Sequence, residues 1–219
     1  MRTLDRDVQE GVGKQSVRVG STGTADTKKA INELLDSLAA DRASFTFVFF
    51  NPEHDAKVVS TELDRRVGAK AIAGTTGGEI CSNGFEYGRM TGISLHGEHV
   101  RATADVIPNL DELSLVPLVH LPEQFARRIG RRLEDLDPKR HCWILLADSS
   151  AGVEDLLTPF FKQGAPETKL VGGSLVPGPG KQHARASYHG RVYENAAALV
   201  LLEYDRPFEL FHHTHLEFG

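Results

Sequence analysis

The sequence predicts a mixed α/β fold, in which two β-α-β units and antiparallel hairpins form a layered sandwich with the helices outside. Apolar runs of strand length alternate with amphipathic stretches of helical spacing. The same order returns about 96 residues later, so two pseudo-repeats span about residues 26–106 and 122–215. Each repeat closes with two β-rich segments. These observations predict an internally duplicated unit within a single domain over residues 1–219.

The first elements follow from composition and spacing. Residues 1–15 are polar and are expected to be loose, and Ser16–Gly20 is a predicted edge strand. Apolar residues recur at helical spacing over Asp26–Leu38, which predicts the first helix. The run Phe45–Phe50 is apolar on both faces, which is typical of a strand that is covered on each side.

The second helix is predicted to begin at Pro52 and to end at Val67. Asn51 would cap it, and Pro52 would take the first helical position. The following strand, Ala69–Thr75, should lie parallel to Phe45–Phe50 because crossover connections are right-handed.

The first half then closes with a pattern of period two. Arg89–Leu95 and His99–Val106 flank residues 96–98, which predicts a hairpin with a glycine turn. Three prolines mark residues 108–122 as an irregular connection between the halves.

The second half repeats the order of helix, strand, helix and strand. Pro122–Leu133 is amphipathic, Cys142–Ala147 is a buried strand, and Val153–Phe161 is a helix in which Pro159 predicts a kink or a late start. The short run Leu170–Val171 ends in GGSL, which predicts a turn. The remaining predicted segments are a loop at Val176–Gly180, a tight hairpin of Ala184–Tyr188 and Arg191–Tyr193 around His189-Gly190, and β-rich segments at Ala196–Tyr204 and Pro207–His215.

Composition narrows the class of protein. The 219 residues are 40% hydrophobic and 25% charged, as in ordinary globular proteins. No apolar run approaches the ~18 residues of a membrane helix, and the N-terminus lacks the apolar core of a secretory signal, so we expect no membrane association. Two cysteines without a CxxC motif favour a reducing cytoplasm.

Charge argues against nucleic acid as a partner, because the net charge is −5 and no basic face dominates. One local exception is a run of arginines at positions 127, 128, 131 and 132, three of which share a helical face. A solvated outer face explains this stripe best, and an anion or partner patch is the alternative.

The two glycine-rich segments are the candidate ligand site. GTTGGEI at 74–80 follows a strand, and its backbone N–H groups could crowd a ligand. It lacks the lysine of a phosphate loop and the spacing of a dinucleotide fingerprint. We expect both segments to line one cavity between the halves, and a tight turn without a ligand is the alternative. The candidate ligand-binding residues are Gly74, Thr75, Thr76, Gly77, Gly78, Glu79, Gly172, Gly173 and Ser174.

Other chemistry is less well supported. Ser174 lacks the GxSxG context of a nucleophile, and no base can be placed beside Cys81, so we predict no catalytic residue. His213 and His215 would share one strand face without a third ligand, so no metal is expected. His54 reads as a solvated residue at the start of a helix.

Four motifs in order resemble the FIST N-terminal domain, namely FFNPEHD, GTTGGEI, GGSL and HGRVYENAAALVLLEY. The resemblance covers residues from about 20 to 216. It implies an intracellular sensor of small ligands, with amino acids the usual suggestion. Thr76 and Ser174 would then donate from their hydroxyl groups, and Glu79 would accept from an ammonium group. The family often has Cys or Ser where Thr75 stands, which weakens any role for a thiol there.

The resemblance also implies alternatives. Some members resemble haem-binding nitric-oxide sensors, in which case His183 or His189 would be the haem ligand; otherwise no cofactor is expected. A small-molecule hydrolase is the second alternative. FIST domains occur fused to kinases or cyclic-dinucleotide enzymes, and this chain has no transmitter segment, so we expect a separate signalling partner.

Overall fold

The computed structural model describes residues 16–81, 84–114, 117–164 and 168–211. The strands are β1 (Val17–Thr22), β2 (Phe45–Phe50), β3 (Ala71–Thr75), β4 (Glu79–Cys81), β5 (Gly84–Glu86), β6 (Met90–Leu95), β7 (Val100–Ile107), β8 (His141–Asp148), β9 (Lys169–Leu175), β10 (Arg185–Tyr188), β11 (Arg191–Glu194) and β12 (Ala197–Tyr204). The helices are α1 (Thr27–Ser37), α2 (Ala56–Val67), α3 (Leu121–Arg128) and α4 (Glu154–Gly164). Short 3₁₀ turns lie at Ala40–Arg42, Gly68–Lys70, Leu110–Glu112, Pro117–His120 and Leu133–Asp135.

The strands form two main sheets. A six-stranded sheet has the order β1-β6-β2-β3-β10-β11, and a four-stranded sheet has the order β7-β12-β8-β9. Strands β4 and β5 form a separate two-stranded ribbon. The pairs β2–β3 and β8–β9 are parallel, as the crossover rule predicts, and the remaining pairs are antiparallel.

Alternating side chains on each central strand build the layers. On β2, Phe45 and Phe47 pack between the two sheets, whereas Val48 and Phe50 face α1 and α2. On β8, Leu146 packs between the sheets, while the residues on either side of it face α3 and α4. The layers are therefore helices, sheet, sheet and helices. The predicted sandwich with outer helices is confirmed.

The halves share their order and pairing, and they also exchange strands. In each half, the parallel pair gains an antiparallel neighbour, β6 beside β2 and β12 beside β8. The first half then contributes β7 to the four-stranded sheet, and the second half contributes β10 and β11 to the six-stranded sheet. Duplication of one ancestral unit stays a prediction.

The two predicted hairpins have opposite outcomes. The hairpin around His189-Gly190 is confirmed, with Tyr188 opposite Arg191 and positive φ angles of 48° and 74° in the two-residue turn. The hairpin around residues 96–98 is wrong. Strand β6 already pairs with β1 on one side and β2 on the other, so β7 crosses to the other sheet and pairs with β12.

Two predicted element boundaries are also wrong. Helix α2 begins at Ala56 rather than at Pro52, because the Asp55 carboxylate accepts the N–H groups of Lys57 and Val58 and caps the helix there. The segment GGSL is not a turn, because residues 172–175 lie within β9 and pair with β8. The other predicted helices and strands are present with bounds shifted by a few residues, α3 ending already at Arg128.

Some predictions fall at or beyond the limits of the described residues. The edge strand near the N-terminus is confirmed as β1 at the margin of the six-stranded sheet. Residues 207–211 form no strand, and residues 1–15 and 212–219 lie outside the described residues. None of the helices in the described ranges combines the length and apolar character needed to cross a membrane.

Candidate functional site

The carboxyl ends of the parallel strands meet at one rim of the sandwich. The N–H of Val176, just after β9, donates to the carbonyl oxygen of Thr75 at the end of β3, 3.0 Å away. The N–H of Thr76 donates in turn to the carbonyl oxygen of Phe50 at the end of β2, also over 3.0 Å. Ligands in open α/β sheets bind outside the carboxyl ends of parallel strands. This rim is therefore the place to look for a site.

A cavity of about 390 Å³ opens at this rim, and we call it the rim cavity. Its walls come from the segments that follow β2, β3 and β9, together with Tyr87 between β5 and β6. The lining residues are Asn51, Pro52, Glu53, Thr76, Gly77, Tyr87, Pro177, Gly178 and Pro179. A Cβ on residue 178 would lie 2.7 Å from the Cβ of Pro52, so glycine is needed for the two walls to approach each other.

The second glycine segment lies at a different cleft. Gly172, Gly173 and Ser174 line an opening of about 220 Å³ beside β8 and α4, which we call the β9 cleft. The structure therefore brings Thr76 and Gly77 together with the loop after β9, not with the glycines inside β9. Ligand contact by either segment stays a prediction.

Thr75 holds the rim together. Its side chain is fully buried, and its hydroxyl accepts the N–H of Arg185 over 3.0 Å. Its carbonyl oxygen accepts from Val176, so both polar groups of Thr75 bind the second half of the chain. This residue fastens the walls of the site and does not line the rim cavity, and its contact with a ligand stays a prediction.

Thr75→Val should lower the free energy of unfolding by about 1–2 kcal/mol, because valine keeps the volume but leaves the Arg185 N–H without its acceptor. Urea denaturation measures the loss. Thr75→Ser keeps the hydroxyl and should retain most of this contribution. Equal stability of Thr75→Val and the parent chain would show that the hydroxyl does not fasten the rim.

Glu79 lies beneath the cavity and already has partners. Its carboxylate is 2% exposed. One oxygen accepts the Thr76 hydroxyl at 2.6 Å, and the other accepts the N–H of Arg89 at 3.2 Å. A ligand ammonium group that binds this carboxylate would compete with Thr76 and Arg89 for its oxygens. Of the remaining glycines in this segment, Gly74 makes room for the Leu175 side chain and Gly78 for the ring of Phe85.

His54 is buried near the same network. Its Nδ1 lies 3.2 Å from the Thr27 hydroxyl, which also accepts the N–H of Asp55. In the tautomer with an unprotonated Nδ1, that hydroxyl donates its proton to the ring. Burial lowers the pKa of His54 against the opposing fields of Glu79 and Glu53, so the ring is neutral at pH 7. The prediction of a solvated histidine is wrong.

An aspartate–histidine pair was not recognised from the sequence. Asp148, at the carboxyl end of β8, is fully buried, and its Oδ2 lies 3.1 Å from Nδ1 of His183. Its other oxygen accepts the N–H and the hydroxyl of Ser150. An acidic residue directly after an apolar strand was the available signal. The pair ties the loop after β9 to the end of β8.

The histidines do not favour a haem site. Nε2 of His183 could bind iron, since the carboxylate fixes Nδ1. Haem also needs a flat apolar slot, and neither His183 nor His189 lines the rim cavity or the β9 cleft. His189 is exposed on its turn, with Nδ1 2.7 Å from Asp64. Haem binding therefore stays a prediction that no observation supports.

Within the described residues, neither the thiols nor the possible metal ligands form a cluster that indicates a reactive site. Sγ of Cys81 lies 3.9 Å from the carbonyl oxygen of Glu79, and within the described ranges no hydrogen bond joins it to an imidazole. Burial raises the pKa of the Cys142 thiol to about 11, so that side chain is no nucleophile. The described residues hold no group of three or more metal-ligating side chains. His212, His213 and His215 lie outside them.

The arginines at positions 127, 128, 131 and 132 take part in ion pairs at the end of α3 and just beyond it. Arg128 pairs with Asp105 at 2.9 Å. Arg131 makes two hydrogen bonds to the buried carboxylate of Glu203. Arg127 pairs with Glu123 and Arg132 with Glu134, so all four guanidinium groups have acidic partners.

The chain matches a known protein family. The family model of the FIST N domain matches residues 44–217, which is most of the chain. The match includes the residues of the rim cavity and those of the β9 cleft. No curated protein matches the chain.

Proposed function

The chain belongs to the FIST N domain family, a family of sensory domains in signal transduction, and we propose on this basis that it senses a small ligand bound in the rim cavity. The observation that carries the proposal is the convergence of three strand-end segments around that cavity. The cavity lies where the two sheets meet. Its lining residues Thr76 and Pro177 directly follow Thr75 and Val176, which are joined by a hydrogen bond. Occupancy would therefore be felt by both halves.

The size of the cavity suits a small metabolite. About 390 Å³ lies toward the lower end of the range for small-molecule sites. An amino acid, the ligand that the family resemblance implies, would fit this volume. The two free cysteines agree with a cytoplasmic setting, and a separate signalling protein such as a kinase or a cyclic-dinucleotide enzyme would supply the output.

A pair of glycine substitutions can locate the ligand. A Cβ on Gly77 would make ordinary contact with Val176 at 3.4 Å, so Gly77→Leu should fold and place its side chain in the rim cavity. Gly173→Leu is the matched control, because residue 173 lines the β9 cleft and a Cβ there has no described neighbour within 4 Å. In a thermal-shift screen of metabolites followed by calorimetric titration, Gly77→Leu should lose at least tenfold in affinity while Gly173→Leu binds normally.

The opposite result would place the ligand in the other cavity. If Gly173→Leu lost binding and Gly77→Leu kept it, the ligand would occupy the β9 cleft. A ligand at 100 times its dissociation constant adds about 2.7 kcal/mol to stability, so a screen with no shift for any metabolite would refute the sensory role in the rim cavity.

A further inference from the structure

We propose that the ligand of the rim cavity is an organic cation, an amine or a quaternary ammonium compound, and not an anion. This inference rests on the proposed function, since it names the chemical class of the ligand in the same cavity. It is carried by the hydrogen-bonding groups of the lining, by its charge and by its one aromatic ring.

The lining is poor in hydrogen-bond donors. Proline has no backbone N–H, and three of the lining residues are prolines, namely Pro52, Pro177 and Pro179. Three further N–H groups are already used. That of Asn51 donates to the Arg89 carbonyl, that of Glu53 to the Asn51 side chain, and that of Thr76 to the Phe50 carbonyl. Anion sites need converging N–H groups, and six of the nine described lining residues have none to offer.

The side chains add acceptors instead. The hydroxyl of Thr76 gives its proton to Glu79 at 2.6 Å, so toward the cavity it can only accept. The amide of Asn51 and the hydroxyl of Tyr87 can donate as well as accept, which lets them hold a neutral part of the ligand. A ligand that brings several donors, such as an ammonium group, matches this lining.

Charge points the same way. Among the described lining residues, Glu53 is the only carboxylate, and none is a lysine, an arginine or a histidine. Two arginines border the cavity, and both have partners. Arg89 lies 3.0 Å from Glu86, and Arg185 donates to the Pro52 carbonyl oxygen over 2.7 Å.

Tyr87 supplies an aromatic face. Its ring lines the cavity and stacks edge to face against Phe85, with the ring centres 4.8 Å apart. A cation over an aromatic ring gains about 0.5–1 kcal/mol at an exposed site. The prolines around the ring provide apolar surface for the carbon part of the ligand.

A matched series of ligands tests the proposal. The probes are leucine, 3-methylbutylamine, which lacks the carboxylate, and 4-methylpentanoate, which lacks the amine, together with choline and putrescine. Isothermal titration should show that the amines bind at least as well as leucine and that the acid does not bind. Gly77→Leu should abolish binding of the amines, which places them in the rim cavity.

Two pairs of variants test the residues. Glu53→Gln should weaken amine binding about fivefold, whereas Glu53→Asp should retain most of it. Tyr87→Leu should weaken it about fivefold, whereas Tyr87→Phe should bind as the parent does. Both side chains are exposed, so the melting temperature without ligand should not change.

The outcomes separate this inference from the proposed function. Binding of 4-methylpentanoate as tight as that of 3-methylbutylamine would overturn the cationic class and leave a sensor. Binding of anionic or neutral metabolites alone in the wider screen would do the same. Failure of every metabolite, charged or neutral, to bind would overturn both.

Discussion

Gly172→Ala should lower the free energy of unfolding by about 3 kcal/mol. Residue 172 lies in β9 opposite Leu145 of β8, and a Cβ built there would overlap the Leu145 carbonyl oxygen. The obstacle is backbone rather than a flexible side chain, so relief requires the two strands to move apart. Overpacking of this kind costs about 1–3 kcal/mol, and more where the surroundings cannot yield. Chemical denaturation at equilibrium measures the loss.

The next residue provides the control. Gly173→Ala introduces the same methyl group into open space, so it should change stability by no more than about 0.5 kcal/mol. If both variants lost the same free energy of unfolding, the two glycines would be needed for backbone freedom and not for close approach of the strands. Equal stability of Gly172→Ala and the parent chain would contradict the close approach of β8 and β9.

Glu203→Ala should also cost about 3 kcal/mol at pH 7. Its carboxylate is 5% exposed and accepts two hydrogen bonds from Arg131. Arg101 and the buried ring of His141 lie 3.4 and 3.7 Å away. Removing one member of such a cluster leaves the others without their counter-charge. Glu134→Ala is the control, because its ion pair with Arg132 is exposed and should contribute less than about 1 kcal/mol.

The pH dependence gives a second readout. Burial raises the pKa of Glu203, but hydrogen bonds and charge from Arg131 and the charges of His141 and Arg101 outweigh it, so the pKa lies below its ordinary value. A carboxyl group with a lowered pKa stabilises the fold above the pKa of the unfolded chain, about 4.3. That contribution is lost as the pH falls below this value. The stability gap between parent and variant should therefore narrow below about pH 4, and a constant gap would contradict the ionic origin.

The layered fold could be predicted because its elements are local patterns. The apolar run Phe45–Phe50 and the helical spacing of residues 27–37 are each visible within a dozen residues. The hairpin at His189-Gly190 is equally local, since two residues with positive φ close it. The turn at 96–98 carries a similar signal, but both edges of β6 are taken by strands distant in sequence. The residues of the turn itself give no indication that β1 and β2, rather than β7, pair with β6.

The site was predicted only in part for the same reason. Thr76 and Gly77 line the rim cavity, but the opposite wall comes from Pro177–Pro179, which the sequence marked only as a loop. Its contact with Pro52 joins segments more than a hundred residues apart. The glycines of GGSL were read as a turn because close approach of two backbones leaves the same glycine signature. A glycine-rich turn can be distinguished from a glycine-rich strand only when the position of the neighbouring strand is known.

Neither half of this chain possesses a complete sheet, since β7 serves the second half and the pair β10–β11 serves the first. A break in the connection between the halves would leave two fragments that each lack strands and expose unpaired edges. The halves are thus interlocked, and we expect them to fold and unfold as one cooperative unit. A structural change at the rim cavity in one half should therefore also affect the other half, because neither half is an independent folding unit.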